Sequence, residues 1–354
     1  MIKKLLLKSA AYLFLAGIYL VCSNSSVCSA DEQNVMEASI ELHLAYSELN
    51  KGQIEEAIAS FDKAISLDDK NALAYVGLGK AYSRKGDFEE AIASFDKAIS
   101  LDDKNALAYV GLGYTYARKG DFEEAIASFD KAISLDDKNA LAYVGLGNIY
   151  SRKGDFEEAT VSYNKAISLD DKNALAYVGL GNIYSRKGDF EEAIASFDKA
   201  ISLDDKNALA YVGLGYTYAR KGDFEEAIAS FDKAISLDDK NALAYVGLGN
   251  IYSRKGDFEE ATVSYNKAIS LDDKNALAYV GLGNIYSRKG DFEEAIASFD
   301  KAISLDPQNA FSHYSLGLTY ISLNENDLAI EQYNILKGLN KNLAEQLQNK
   351  IKLE

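Results

Sequence analysis

The sequence predicts an all-α fold, an α-solenoid of antiparallel helix pairs stacked in a row, and three observations carry that expectation. A 34-residue stretch, clearest at 139–172 as NALAYVGLGNIYSRKGDFEEATVSYNKAISLDDK, begins again at Asn71, Asn105, Asn173, Asn207, Asn241 and Asn275. Looser copies start at Glu37 and Asn309, so nine units cover most of the 354 residues. A fixed period in this range marks an elongated array whose core grows with each unit, not a large compact domain. Inside each unit the apolar residues recur at helical spacing. A single proline in the whole chain leaves those helices uninterrupted.

The balance of residue types bounds the function. With 48% apolar and 26% charged residues the chain is not compositionally disordered. A net charge of −16 excludes nucleic acid as a partner, because phosphates need Lys and Arg to neutralise them. Both cysteines, Cys22 and Cys28, precede the repeats, so the array has neither disulfides nor a thiol ligand.

Residues 1–30 read as a secretory signal. Lys3, Lys4 and Lys8 form a positive start, Ser9 to Cys22 is an apolar run, and Val27-Cys28-Ser29-Ala30 offers small residues for cleavage. The run is short for a membrane-spanning helix, which needs about 20 residues. An uncleaved anchor or a lipidated cysteine is the alternative, although Tyr19-Leu20-Val21 is a poor lipidation context ahead of Cys22. The expected location is therefore outside the cytoplasm: bacterial periplasm, cell surface or secreted. Residues 31–36 follow as a short polar segment.

Each unit reads as two helices. Taking 139–172, the first spans about Ala140 to Lys153, with Leu141, Tyr143, Val144, Leu146, Ile149 and Tyr150 as its apolar stripe. Gly154 stands where a helix end wants positive φ. Asp155 with Glu158 three residues on makes a capping box for the second helix, which carries Phe156, Ala159, Val161, Tyr163, Ala166, Ile167 and Leu169. Asp170 is the expected cap for the next unit. Gly147, Ala159 and Ala166 permit close helix approach, while Gly145 has no evident packing reason and would leave bare backbone.

This pattern resembles the tetratricopeptide repeat (TPR) family. Counting from Ala140, an aromatic falls fourth (Tyr143), Leu146-Gly147 seventh and eighth, Tyr150 eleventh, Ala159 twentieth, Tyr163 twenty-fourth and Ala166 twenty-seventh. The family's proline at the thirty-second place is Asp171 here and returns only as Pro307. The resemblance covers 37–342 and implies a right-handed superhelix of antiparallel helix pairs with a concave groove that binds protein or extended peptide. At the ends, Glu41 and Glu48 replace aromatics, Asn324-Glu325-Asn326 replaces the Gly-Asp turn, and Leu343, Leu347 and Ile351 in 343–354 read as a capping helix.

Residues 105–206 and 207–308 are identical except for Asp205-Lys206 against Pro307-Gln308, a duplicated block of three units. Buried and exposed positions are copied alike, so uniformity says nothing about which surface matters. The differences between units are more telling, and they fall at the ninth, tenth and twelfth places of the first helix: Lys80-Ala81-Ser83, Tyr114-Thr115-Ala117, Asn148-Ile149-Ser151. The resemblance implies that specificity lies at the ninth, twelfth and thirteenth places. Groove candidates are thus Lys80, Tyr114, Asn148, Asn182, Tyr216, Asn250 and Asn284 at the ninth. Arg84, Arg118, Arg152, Arg186, Arg220, Arg254 and Arg288 form a ladder at the thirteenth. The plainer reading of those arginines is solvated charge completing helix dipoles.

Catalytic chemistry is not expected. Gly145-x-Gly147 lies inside a helix with no preceding strand. The Asp170-Asp171-Lys172-Asn173 corner lacks the glycine and distal glutamate of a calcium loop. The repeated Lys-Gly-Asp tripeptide is explained by the hairpin turn, and His43 and His313 stand far apart without a nucleophile partner. Chaperone-binding members of the family use a lysine at the fifth place, which is Val144 here, and that puts such a clamp in doubt. The sequence therefore predicts a non-enzymatic scaffold with no cofactor, no metal and no small-molecule substrate, and no membrane contact beyond its N-terminus. A spacer or surface-displayed host-contact protein, in which repeat number matters more than groove chemistry, is the alternative.

Overall fold

The computed structural model describes residues 30–352, and the leader expected at 1–30 lies outside them apart from Ala30. Among the described residues there are nineteen α-helices and no strand. The described residues divide into two compact bodies, one up to residue 179 and one from residue 180. The first body pairs α1 (Ala30–Lys51) with α2 (Ile54–Leu67), α3 (Ala72–Lys85) with α4 (Phe88–Leu101) and α5 (Ala106–Lys119) with α6 (Phe122–Leu135). It continues through α7 (Ala140–Lys153) and α8 (Phe156–Leu169) into α9 (Ala174–Lys187), where the division falls. The second holds α10 (Phe190–Leu203), α11 (Ala208–Lys221) with α12 (Phe224–Leu237), and α13 (Ala242–Lys255) with α14 (Phe258–Leu271). It closes with α15 (Ala276–Lys289) and α16 (Phe292–Leu305), α17 (Ala310–Ser322) and α18 (Asn326–Leu339), and α19 (Lys341–Ile351). Residues 31–36 are thus the opening of α1, and no described helix is long and apolar enough to cross a membrane.

Local chemistry sets the helix ends, with two departures from expectation. Asn139 caps α7, its side-chain oxygen accepting from Ala142 N at 3.2 Å. Asp170 does not cap the next helix; its carboxylate accepts from Lys172 N at 3.1 Å, and Asn173 takes the cap from Ala176 N. Asp155 occupies the cap position of α8, yet its side chain makes no cap bond, so the capping box is not formed. In the sister units the equivalent carboxylates instead hold the lysine two residues back, as in Asp87–Lys85 at 3.0 Å and Asp223–Lys221 at 3.1 Å. Gly154 ends α7 at φ 90°, the left-handed conformation glycine adopts without a Cβ clash.

The core is a row of aromatic rings held between glycines. Phe129 on α6 is fully buried, in close contact with Gly113 of its own hairpin and Gly145 of the next unit. A Cβ at Gly145 would sit 2.4 Å from the ring and one at Gly113 2.8 Å, so both helices approach the aromatic more closely than any side chain would allow. Gly145 therefore has a packing reason after all. The same sandwich recurs as Gly147–Tyr163–Gly179 and, in the second body, Gly215–Phe231–Gly247. Ala125, Ala132 and Ala142 close the cluster around Phe129. Leu141 and Val161, read as core positions, are 47% and 69% exposed and do not belong to it.

The end units replace these contacts with polar or aliphatic ones. Lys131 and Lys165 lie over the fourth-place rings Tyr109 and Tyr143, at 6.0 and 5.9 Å. In the first unit Glu41 takes that place, and Lys63 pairs with its carboxylate at 2.6 Å. Asn324 adopts φ 59°, the one positive-φ non-glycine among the described residues, in place of the turn glycine. Leu347 of α19 lies against Gly317, so a leucine from the cap helix does what an aromatic does elsewhere. Leu343, Ala344 and Leu347 bury the cap.

Candidate functional surface

Helix geometry collects the candidates on one line. The second, ninth and thirteenth places of a first helix are seven and four residues apart, which at 3.6 residues per turn brings all three within an arc of about 40°. On α7 that line reads Leu141, Asn148, Arg152; on α13 it reads Leu243, Asn250, Arg254. All six side chains are exposed. Asn182 and the remaining ladder arginines are exposed too, whereas Lys80, Tyr114, Tyr216 and Asn284 are half-buried. The leucines were missed as a surface feature. Leu73, Leu107, Leu141, Leu175, Leu209, Leu243 and Leu277 are 47–56% exposed, and Phe311 is 65% exposed at the same place. Their registry with the ninth and thirteenth places was the available signal.

The tenth and twelfth places belong to packing. Thr115 and Thr217 are fully buried; each donates to a carbonyl of its own helix, Gly111 O and Gly213 O at 2.8 Å, and is hydrogen-bonded across to the twelfth-place serine of the preceding unit, Ser83 at 3.2 Å and Ser185 at 3.0 Å. Ser83, Ala117, Ser185 and Ala219 are buried, which removes the twelfth place from the recognition surface there. Its variation tracks the neighbour it touches.

The arginines do two things. Arg84, Arg152 and Arg254 donate from Nη1 to the carbonyls of Leu49, Ala117 and Ala219, at 2.6, 2.7 and 2.8 Å. Arg118 and Arg220 do the same to Ser83 and Ser185. These carbonyls lie in the last turn of the preceding first helix, where intrahelical donors run out; those of Leu49 and Ser185 also accept from Gly52 N and Gly188 N. Arg152 and Arg254 also lie 4.7 Å from the Phe122 and Phe224 ring centres. Their positive charge, however, meets no acid. The lysines one residue on are paired, Lys153 to Glu123 and Lys255 to Glu225 at 3.1 Å each. Among the described residues no ladder arginine pairs with a carboxylate, and Lys80, whose pKa burial pushes down, has none either.

At the ninth place the side chains couple to the core. Tyr114 stacks edge-on against Phe129 at 5.1 Å and donates to Leu141 O at 3.1 Å. Asn148 accepts from Tyr163 Oη at 2.8 Å. Burial pushes the Tyr46, Tyr114 and Tyr216 hydroxyls up from 10.0 to about 12. A raised phenol pKa stabilises the fold while the group stays neutral, and that contribution is lost as pH rises from the unfolded value near 10 through 12. Titration of near-ultraviolet phenolate absorbance is expected to show an early class of tyrosines and a late class that ionises with unfolding. A single early class would contradict this packing. Among the described residues no group of three His, Cys, Asp or Glu is placed to hold a metal ion.

Comparison with known proteins agrees with the repeat geometry. Tetratricopeptide repeat models match residues 76–140 and 178–242, and 128–160 and 230–262. A further TPR repeat model matches 45–86, 147–188, 249–290 and 283–324, so the matches run unbroken from 45 to 324. A search of curated proteins returned no match. Among solved structures, the chain resembles one in the APC/C hetero-tetramer Cut9–Hcn1, with a TM-score of 0.63 and 16% identity over 89% of this chain and 76% of that one. It also resembles a tetratricopeptide repeat protein from Parabacteroides merdae, with a TM-score of 0.57 and 21% identity over 70% of this chain and 98% of that one. At such identities the likeness is one of fold, an all-α solenoid. The chain belongs to the tetratricopeptide repeat family.

Proposed function

We propose that the protein is an exported, non-enzymatic scaffold that holds extended acidic peptide segments along the Leu-x-Arg face of its first helices. Tetratricopeptide arrays are protein-interaction scaffolds, and the observation that carries the finer reading is a charge imbalance. In a chain of net charge −16, the ladder arginines keep their charge without a carboxylate partner, beside exposed leucines. Guanidinium groups in that state favour carboxylate ligands through charge-assisted hydrogen bonds. The leucines give apolar side chains of the same segment a place to bury. Export rests on residues 1–30 alone and is tested by N-terminal sequencing of the native protein: a retained Met1 would remove cleavage.

The test uses capped synthetic peptides of matched length, acidic with leucine, neutral with leucine, and basic with leucine. Bulk electrostatics of so acidic a chain favours the basic one. The proposal requires the acidic one to bind most tightly, more weakly as salt rises. Arg118→Glu with Arg152→Glu is expected to weaken it at least about tenfold, the scale of one lost charge-assisted contact, while Arg118→Lys with Arg152→Lys retains part of the affinity. Preference for the basic peptide would overturn the reading. The duplicated 102-residue block favours a second reading, a spacer whose effect follows repeat number.

A further inference from the structure

The Tyr-then-Asn succession at the ninth place occurs twice, as Tyr114 followed by Asn148 and as Tyr216 followed by Asn250. Elsewhere the succession differs: Tyr46 is followed by Lys80, and Asn182 and Asn284 each follow another asparagine. Each copy lies wholly within one of the two bodies. Their local geometry agrees closely. The tyrosine hydroxyls reach Leu141 O at 3.1 Å and Leu243 O at 3.0 Å, and their rings meet Phe129 and Phe231 at 5.1 and 5.0 Å with the same 80° angle. The asparagines accept from Tyr163 at 2.8 Å and Tyr265 at 2.7 Å. The arginines sit 4.7 Å from a ring in both copies, and Leu141 and Leu243 are each 47% exposed.

We infer that the chain carries two equivalent binding sites, one in each body, for a short acidic, leucine-bearing segment. Equivalence follows from chemistry and not from the origin of the copies. Two surfaces with the same side chains, the same hydrogen bonds and the same exposure bind a given segment with the same free energy. A ligand short enough to sit on two consecutive hairpins meets this surface in two places on one chain. A partner carrying several copies of the segment gains from that, because its second attachment is intramolecular once the first has formed. Lys80 in place of asparagine excludes the first pair of units from the set.

This inference rests on the peptide-binding reading above, and the experiment separates the two. Isothermal titration of the full chain with a capped synthetic peptide of alternating glutamate and leucine is expected to give two equivalents bound with one affinity. Leu141→Glu and Leu243→Glu place a negative charge on the exposed stripe without touching the core. Each is expected to reduce binding to one equivalent, and the pair together to abolish it. One equivalent for the unsubstituted chain, or loss of both equivalents from either single substitution, overturns equivalence and leaves peptide binding standing. No heat with the unsubstituted chain overturns both. Unchanged thermal unfolding of the variants confirms that lost equivalents are lost sites.

Discussion

Truncating Phe129 to alanine is expected to cost about 3–5 kcal/mol, the range for removing a large aromatic from a packed core. The ring is fully buried and lies between two glycine backbones that have no side chains to fall into the vacated space. Collapse is limited because Gly113 and Gly145 belong to helices anchored by their own caps, by Asn105 accepting from Ala108 N and Asn139 from Ala142 N. Urea unfolding followed by circular dichroism reads the loss as a lowered midpoint, and hydrogen exchange locates it on α5 to α7. The companion substitution has an unusual sign. Gly→Ala inside a helix ordinarily stabilises by about 1 kcal/mol. At Gly145 the new methyl would lie 2.4 Å from the ring, so Gly145→Ala is expected to destabilise by about 1–3 kcal/mol through overpacking. Combined with Phe129→Ala it is expected to become neutral or favourable, because the methyl then fills vacated space. A stabilised Gly145→Ala single variant would refute the sandwich.

That glycine also shows where reading the sequence stopped. The 34-residue period, the two helices per unit and the turn glycines were legible because each follows from local pattern: apolar spacing, and a residue able to take positive φ. Gly145 was not, since its reason is an aromatic sixteen residues earlier in the preceding unit, Phe129. The Asp155 cap was misjudged because spacing does not decide whether a carboxylate turns onto its own helix: Asp155 makes no cap bond, and in sister units the equivalent Asp87 and Asp223 hold the lysine two residues back. Leu141 was counted as core because it is apolar and helical, although its place in the stack leaves it half in water. On the candidate surface, the ninth and thirteenth places are solvent-facing or half-buried, while the tenth and twelfth couple neighbours. From sequence the twelfth place was grouped with the ninth and thirteenth as a recognition position. Only the pairing of Thr115 with Ser83 tells packing variation from surface variation.

Excision of 207–308 is the second large effect, and the same pairing predicts that the shortened chain folds. The new junction joins Lys206 to Asn309, in step with the 34-residue period. Asn309 brings its own cap, accepting from Ser312 N at 3.1 Å. Thr319 now follows Ser185, a twelfth-place serine of the kind it already meets in Ser287 and that Thr217 meets in Ser185. The cap helix α19 leaves with none of its contacts disturbed, because Leu347 rests on Gly317 within the retained end. A repeat array is stabilised unit by unit and by nearest-neighbour interfaces. Removing three units therefore lowers the urea dependence of unfolding by roughly three tenths, in proportion to the chain lost, and lowers the midpoint while unfolding stays cooperative. The excised chain also separates the two functional readings. A spacer loses effect in proportion to length, whereas a peptide scaffold keeps full affinity for a short acidic segment at the surface around Asn148 and Arg152, which the excision does not touch. Full retention of a length-dependent activity would sink the spacer, and loss of short-peptide affinity by a folded excised chain would sink the local site.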